Sequence, residues 1–314
     1  MDFLKALQKL FFGAPLPVPA EEHEPGFDER YYAASDGLEL YYRDYPCASE
    51  YTPVLCIPGL TRNARDFEFI AAHIAQTRRV LVADLRGRGK SAYTKDHRHY
   101  SVAVEAADMM RLLDDAGLSR VIVLGTSRGG IVAMAMAATR RGVLQGAILN
   151  DIGGEIEARG LARILEFIGR EPPIPDWNVA AAGLQRAYAA AFPNVSDRQW
   201  MAFARAIYRE QEGKIVPDYD PRLGDAMRES SASVKANGPN LSLWPLFSAL
   251  GPVPTLVLRG AHSDLLSAAT VTRMATLKSD FVSVTIPDRG HVPFLDEPEA
   301  VAAIDTFLAR GRLS

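Results

Sequence analysis

The 314-residue chain contains only two cysteines, Cys47 and Cys56. Two thiols cannot build a disulfide framework in a chain this long, so reducing surroundings and a cytoplasmic location are expected. Cys56 lies in an apolar run and reads as a small buried hydrophobe. No C-x-x-C or H-E-x-x-H spacing occurs, so no metal site is expected. Long basic runs are missing too. The formal net charge is -3, and the pairs Arg78-Arg79 and Arg140-Arg141 stand alone, which argues against a nucleic-acid partner. No stretch approaches the roughly 18 apolar residues of a membrane span.

What is present suits a globular enzyme. Hydrophobic residues make up 48% and charged residues 23%, ordinary values for such a protein. The length permits a substantial core without covalent staples. At the start, Phe3, Leu4, Leu7, Leu10 and Phe11 recur at helical spacing until Pro15, Pro17 and Pro19 stop the pattern. Residues 1–26 are therefore expected to form an amphipathic helix and a proline-rich linker. Packing on the body is the plain reading. Contact of residues 1–12 with a membrane surface or a second copy is the alternative, and a secretory signal would need a longer unbroken apolar region.

Residues 29–45 alternate around Ser35-Asp36-Gly37 and predict an antiparallel hairpin. Short apolar runs then alternate with helical stretches: 53–57, 80–83, 121–124 and 146–149, with helices near 65–77, 102–116 and 128–140 between them. Such runs imply a parallel sheet covered on both faces. About one hundred residues of mostly helical pattern follow Asp151, including 155–169, 177–192 and 197–211. The sheet pattern resumes at 255–258 and 282–286, with helices near 267–278 and from 297. The simplest organisation is a core of residues 27–151 and 253–314 interrupted by a helical insertion over 152–252.

The strand ending at Leu124 runs into Gly125-Thr126-Ser127-Arg128-Gly129-Gly130, and a helix follows. This is G-x-S-x-G in a strand–turn–helix setting. The small residues permit a tight turn that exposes the serine hydroxyl, and the helix points its N-terminal amides at developing negative charge. A serine hydroxyl needs a base. Of six histidines, His291 sits in Asp288-Arg289-Gly290-His291, just past the last strand. That loop falls at the carboxyl edge of a parallel sheet, where such folds place their sites. His262, also on a loop after a strand, reads as exposed or supporting. The imidazole needs an acid to orient it. Asp264 and Asp151 both follow strands at that edge, and both preserve the order Ser…Asp…His. Asp264 is preferred; Asp151 then opens the insertion and caps its first helix.

With these motifs in view, residues 28–311 resemble α/β-hydrolase fold enzymes of the esterase-like group. Gly125–Gly129 resembles the nucleophile elbow, and Arg289-Gly290-His291 the base loop. Ile57-Pro58-Gly59-Leu60 resembles the oxyanion loop, with Pro58 where histidine is usual. Asp84-Leu85-Arg86-Gly87-Arg88-Gly89-Lys90-Ser91 resembles the D-x-R-G-x-G-x-S stretch of the group. The resemblance implies a mostly parallel eight-stranded sheet with helices on both faces, and a cap formed by the insertion. It also implies an acid after the strand preceding the base strand, which favours Asp264, and oxyanion donors at the backbone amides of Leu60 and Arg128.

The expected activity is cleavage of a small carboxylic ester by Ser127, His291 and Asp264 through an acyl-enzyme, without cofactor or metal. A carbon–carbon hydrolase, a lactonase, an amidase and a slow-turnover ligand-binding protein are the alternatives on the same residues. Serine rather than aspartate at the elbow argues against epoxide or haloalkane hydrolysis. Asp84 and Arg86 read as loop anchors. Arg62, Asn63 and Asp66 read as solvated loop residues, with a place at the pocket mouth as the alternative. Trp177, Tyr188, Phe192, Trp200, Phe203 and Tyr208 read mainly as internal packing of the insertion, with some of them covering the pocket.

Overall fold

The computed structural model describes residues 26–232, 239–310 and 313. The helix and linker expected over 1–26 thus lie outside the described residues, apart from Gly26. The strands are β1 (Asp28–Ala33), β2 (Glu39–Tyr45), β3 (Val54–Ile57), β4 (Val80–Ala83), β5 (Val121–Thr126), β6 (Leu144–Asn150), β7 (Glu155–Ile156), β8 (Tyr208–Gln211), β9 (Lys214–Pro217), β10 (Leu241–Ser242), β11 (Thr255–Gly260) and β12 (Phe281–Ile286). The helices are α1 (Glu68–Ile74), α2 (Val102–Asp115), α3 (Arg128–Thr139), α4 (Ala158–Phe167), α5 (Trp177–Tyr188), α6 (Asp197–Ile207), α7 (Leu223–Ser230), α8 (Trp244–Ala249), α9 (Ala268–Leu277) and α10 (Pro298–Leu308).

An eight-stranded sheet runs in the order β1-β2-β4-β3-β5-β6-β11-β12, and β2 is antiparallel to both of its neighbours. The strands from β4 to β12 in that order pair in parallel. The unbroken apolar runs follow from burial on both faces. Leu55, Ile57, Leu81, Val123, Ala147, Leu149 and Val257 pack toward α2, α3 and α8. Their alternates Val54, Cys56, Val82, Ile122, Leu124, Ile148 and Leu258 pack toward α1 and α10. A two-residue side-chain period thus distributes one apolar run between two cores.

Register brings the site to one edge. Ile57 pairs with Gly125, Thr126 with Asn150, and Asn150 with Leu258. The carboxyl ends of β3, β5, β6 and β11 are therefore level, and the loops that leave them are neighbours.

The segment between β6 and β11 is mostly helical, as its periodicity predicts, with two departures. Glu155 and Ile156 form β7, paired with β10, so the first helix begins at Ala158. Tyr208–Gln211 leave the expected helix and pair with β9. Glu212 and Gly213, with φ of 52° and 71°, make the two-residue left-handed turn that joins a tight hairpin. Ser196 caps the other end of α6: its hydroxyl accepts from the Gln199 amide, and the Gln199 side chain returns to the Ser196 amide. Among the described residues, no helix is long and apolar enough to cross a membrane.

Candidate active site

Ser127 sits between β5 and α3 with φ 50° and ψ -111°. A non-glycine residue in that region is strained, and the surroundings hold it there. Its amide donates to the Asn150 carbonyl at 2.9 Å, and its carbonyl accepts from the Gly130 amide at 2.9 Å. The glycines around it are dictated by contact. A Cβ on Gly125 would lie 2.6 Å from the Gly130 nitrogen, and one on Gly129 would run into the carbonyl oxygens of Ile57 and Pro58. The close approach at Gly129 draws the loop after β3 onto the elbow.

His291 reaches Ser127 from the loop after β12. Its Nε2 is 2.9 Å from the Ser127 Oγ. The loop is fastened by Glu297, whose carboxylate accepts from the Arg289 Nε at 2.7 Å and from the Phe294 and Leu295 amides at 2.8 and 2.9 Å. Asn150, fully buried, donates from Nδ2 to the Pro293 carbonyl at 3.1 Å and to the Thr126 Oγ1 at 3.2 Å. The strand ends and the base loop are thereby tied together.

The acid position requires a correction. His291 Nδ1 is 2.7 Å from Oδ2 of Asp151, and Asp264 does not reach the imidazole. Asp151 follows β6 with φ 57°, which turns its fully buried carboxylate inward. The same carboxylate accepts from the Gly260 amide at 2.8 Å and from the Ser263 Oγ at 2.5 Å. Asp264, one residue beyond that hydroxyl, faces outward to α4 instead. Its two oxygens take the Arg163 Nε at 2.8 Å and Nη2 at 3.1 Å. His262 is about half exposed, 4.0 Å from Asp288.

Leu60 lies on the loop after β3 and Arg128 is the first residue of α3, and among the described residues neither backbone amide has a hydrogen-bond acceptor. Leu60 also lines the cavity that opens over Ser127 and His291, with a volume of about 180 Å³. Arg62, Arg163, Phe167, Tyr188, Phe192 and Phe203 contribute to its wall. The walls therefore come largely from the segment between β6 and β11. Phe192 stacks on Phe294 at 5.2 Å, joining α5's end to the base loop. Trp200, by contrast, is buried within the insertion's own core.

Asn63 is buried, and Arg62 and Asp66 are partly buried instead of freely solvated. Arg62 makes a two-pronged pair with Asp66 at 2.6 and 2.7 Å and lies 4.4 Å over the Phe203 ring. Asn63 is buried and caps the short turn after it by accepting from the Arg65 amide. Asp84 and Arg86 hold loops: Asp84 accepts from the Ala64 and Lys90 amides, and Arg86 pairs with Asp108 at 2.6 and 2.7 Å. The Cys56 thiol is buried and pushed up by that burial, so it is no rival nucleophile. Among the described residues, no cluster of three His, Cys, Asp or Glu side chains is arranged around a metal position. A second depression of about 280 Å³, bordered by Val282, Val284, Ala303 and Phe307, is remote from these groups.

Residues 54–304 match the sequence pattern of the alpha/beta hydrolase family. The chain is similar to the 3-hydroxybutyrate-oligomer hydrolase of Cupriavidus necator, at 32% identity over 81% of this chain and 87% of that protein. It is also similar to an alpha/beta hydrolase of known structure from Novosphingobium aromaticivorans. That likeness is 40% identity with a TM-score of 0.84, over 91% of this chain and 99% of the other. The 2-(acetamidomethylene)succinate hydrolase of Mesorhizobium japonicum is 24% identical over 81% of this chain and 87% of its own length.

Proposed function

Because this chain belongs to the alpha/beta hydrolase family, we propose that it is a serine hydrolase cleaving carboxylic esters through an acyl-enzyme, with Ser127, His291 and Asp151 as its catalytic residues. The observation that carries the reading is the continuous relay from Ser127 Oγ through both imidazole nitrogens to the Asp151 carboxylate, at 2.9 and 2.7 Å. Asp151 replaces Asp264 in this assignment.

Ser127 Oγ attacks the ester carbonyl carbon as its proton passes to His291 Nε2. Nδ1–H remains on the imidazole and donates to Asp151, whose negative charge stabilises the imidazolium. The carbonyl oxygen, now negative, is held by the amides of Leu60 and Arg128, which have no competing acceptor among the described residues. Collapse of the tetrahedral species breaks the bond to the alcohol oxygen, which takes the proton from Nε2. Water then attacks the acyl-enzyme by the same route in reverse roles. Pro58 costs this scheme nothing, since the donors are backbone groups.

Residues 152–252 act as a cap, closing the cavity with Phe167, Tyr188, Phe192 and Phe203. A volume of about 180 Å³ is below the roughly 300–1,000 Å³ of sites for drug-sized ligands, which favours a short acyl chain. The likeness to a hydrolase of 3-hydroxybutyrate oligomers favours short hydroxyacid esters among these.

The test is a panel of p-nitrophenyl butyrate, linear 3-hydroxybutyrate dimer and trimer, a lactone and a β-diketone acid. Esters are expected to turn over fastest, and Ser127→Ala to lose at least about 10³-fold in kcat. Undiminished turnover by Ser127→Ala sinks the serine assignment. Turnover of the β-diketone alone sinks the ester assignment.

A further inference from the structure

Beneath the reacting groups lies a string of charges that takes no part in the proton transfers. Glu105, on α2, is completely enclosed between two guanidinium groups. Its Oε1 is 2.9 Å from Arg88 Nη1, and its Oε2 accepts from Arg128 Nε at 2.7 Å. Burial pushes the Glu105 carboxyl up, but Arg128 and Arg88 more than offset it, and the group is held below its ordinary range. It is a carboxylate at neutral pH.

Each arginine goes on to a different loop. Arg88, itself fully buried, donates from Nε to the Leu60 carbonyl at 2.8 Å and from Nη1 to the Arg86 carbonyl at 2.6 Å. Arg128 donates from Nη2 to the Tyr100 carbonyl at 3.2 Å. Leu60 and Arg128 bear the two amides assigned to the oxyanion. One carboxylate therefore fastens both: Leu60 by its carbonyl through Arg88, and Arg128 by its own side chain.

Stability is a poor explanation for this arrangement. Desolvating three charges offsets most of their attraction, and apolar side chains of similar volume commonly serve as well. Among the described residues, Arg88 Nη2 and Glu105 Oε1 are also left buried without a hydrogen-bond partner, so Arg88 and Glu105 are held together as an ion pair at 2.9 Å and not by a hydrogen bond. What the network does supply is a fixed spacing between the loop after β3 and the elbow, which also approach closely where Gly129 faces the Ile57 and Pro58 carbonyls. Backbone donors act on an oxyanion only when held at its future position, and small displacements there are expensive in rate.

We propose that Glu105 is a positioning residue for the oxyanion hole, acting through Arg88 and Arg128 to hold the Leu60 and Arg128 amides in register. The inference rests on the ester-hydrolase reading above. It gives the arginine of the Arg86-Gly87-Arg88 stretch, and the arginine that follows the nucleophile, a shared task.

The network also makes the test discriminating. Glu105→Gln keeps the shape but removes a negative charge near the developing oxyanion. Electrostatics alone would then raise the rate; loss of register lowers it. Active sites are counted by stoichiometric labelling with a fluorophosphonate. Then kcat and KM are measured on p-nitrophenyl butyrate, along with the affinity of an alkylboronic acid whose tetrahedral adduct places an oxygen in the hole. The expected result for Glu105→Gln is a kcat per labelled site lower by about 10–100-fold, KM within about threefold, and a parallel weakening of boronate binding.

A kcat per labelled site and a boronate affinity at or above wild type overturn the proposal, whatever happens to the melting temperature. Arg128→Met, which keeps an unbranched buried stem, is the second variant should Glu105→Gln fail to fold; it must show the same paired loss, and its absence is equally fatal. Labelling and turnover surviving in Ser127→Ala would instead defeat the underlying serine assignment. Labelling at Ser127 with normal kinetics in both variants would defeat only the role of Glu105.

Discussion

Asp151 Oδ2 lies 2.7 Å from His291 Nδ1, and the same oxygen takes the Ser263 hydroxyl. The carboxylate is thus held from three sides and aimed at the ring. Asp151→Asn leaves an amide that favours the wrong imidazole tautomer, and kcat on p-nitrophenyl butyrate is expected to fall by about 10⁴-fold. Asp264→Asn breaks a pair with Arg163 whose side chains are both 38% exposed. Such pairs contribute little, so a change within about threefold is expected. A greater loss in Asp264→Asn than in Asp151→Asn would reverse the assignment.

The contrast between these two aspartates marks where sequence reading stops. Ser127 and His291 announce themselves locally, because each sits in a short pattern whose glycines answer to close contacts. The alternating strand faces are equally local, since burial on both sides demands an unbroken apolar run. The acid is a different problem. Both candidates follow a strand at the same edge, and the choice turns on the positive φ of Asp151 and on Ser263 reaching back to it. Arg62 reads as solvated in the sequence for a similar reason: Phe203, over which it lies, is supplied by the insertion more than a hundred residues away. The β8–β9 hairpin was hidden by polar residues that fit a helix face as readily as a strand.

Gly129 is the tightest point between the elbow and the loop bearing Leu60. A methyl group there meets the Ile57 and Pro58 carbonyl oxygens, which are backbone and cannot swing aside. Gly129→Ala is expected to destabilise the protein by about 1–3 kcal/mol, a melting shift of several degrees. Activity should fall further than stability, because relief requires separating the two loops. A calorimetric scan beside kcat per labelled site checks both; a normal melting temperature with normal kcat contradicts the contact.

Phe203 borders the cavity and packs on Arg62 and Phe294, the ring centroid of the latter 5.3 Å away. Phe203→Ala enlarges the space over Ser127 without touching the hydrogen-bonded relay. KM for p-nitrophenyl acetate is expected to rise by about 3–10-fold, in line with the loss of a few apolar contacts, while octanoate esters gain relative to it. Comparison of kcat/KM from C2 to C8 esters is the measurement. An unaltered chain-length profile would place the acyl group elsewhere.

Asp84 gives an unusual pH dependence of stability. Its carboxyl is buried, 2% exposed, and desolvation pushes it up to about 6 from 3.8, despite the opposing amides of Lys90 and Ala64. Between pH 4 and 6 the folded chain therefore keeps a proton that the unfolded chain releases. More protons bound in the folded state means that stability falls as pH rises through this window and the deficit stays constant above it. The deficit is about 3 kcal/mol. Asp84→Asn cannot ionise, so the stability of wild type minus that of the variant should drop by nearly this amount from pH 3 to 7. Any fixed cost of the amide, such as one backbone N–H left without its acceptor, cancels from the difference. Urea unfolding of both proteins at each pH is the check. A gap that stays flat would mean that Asp84 ionises with its ordinary affinity, and one that widens in favour of wild type would mean that its two amide donors outweigh its burial.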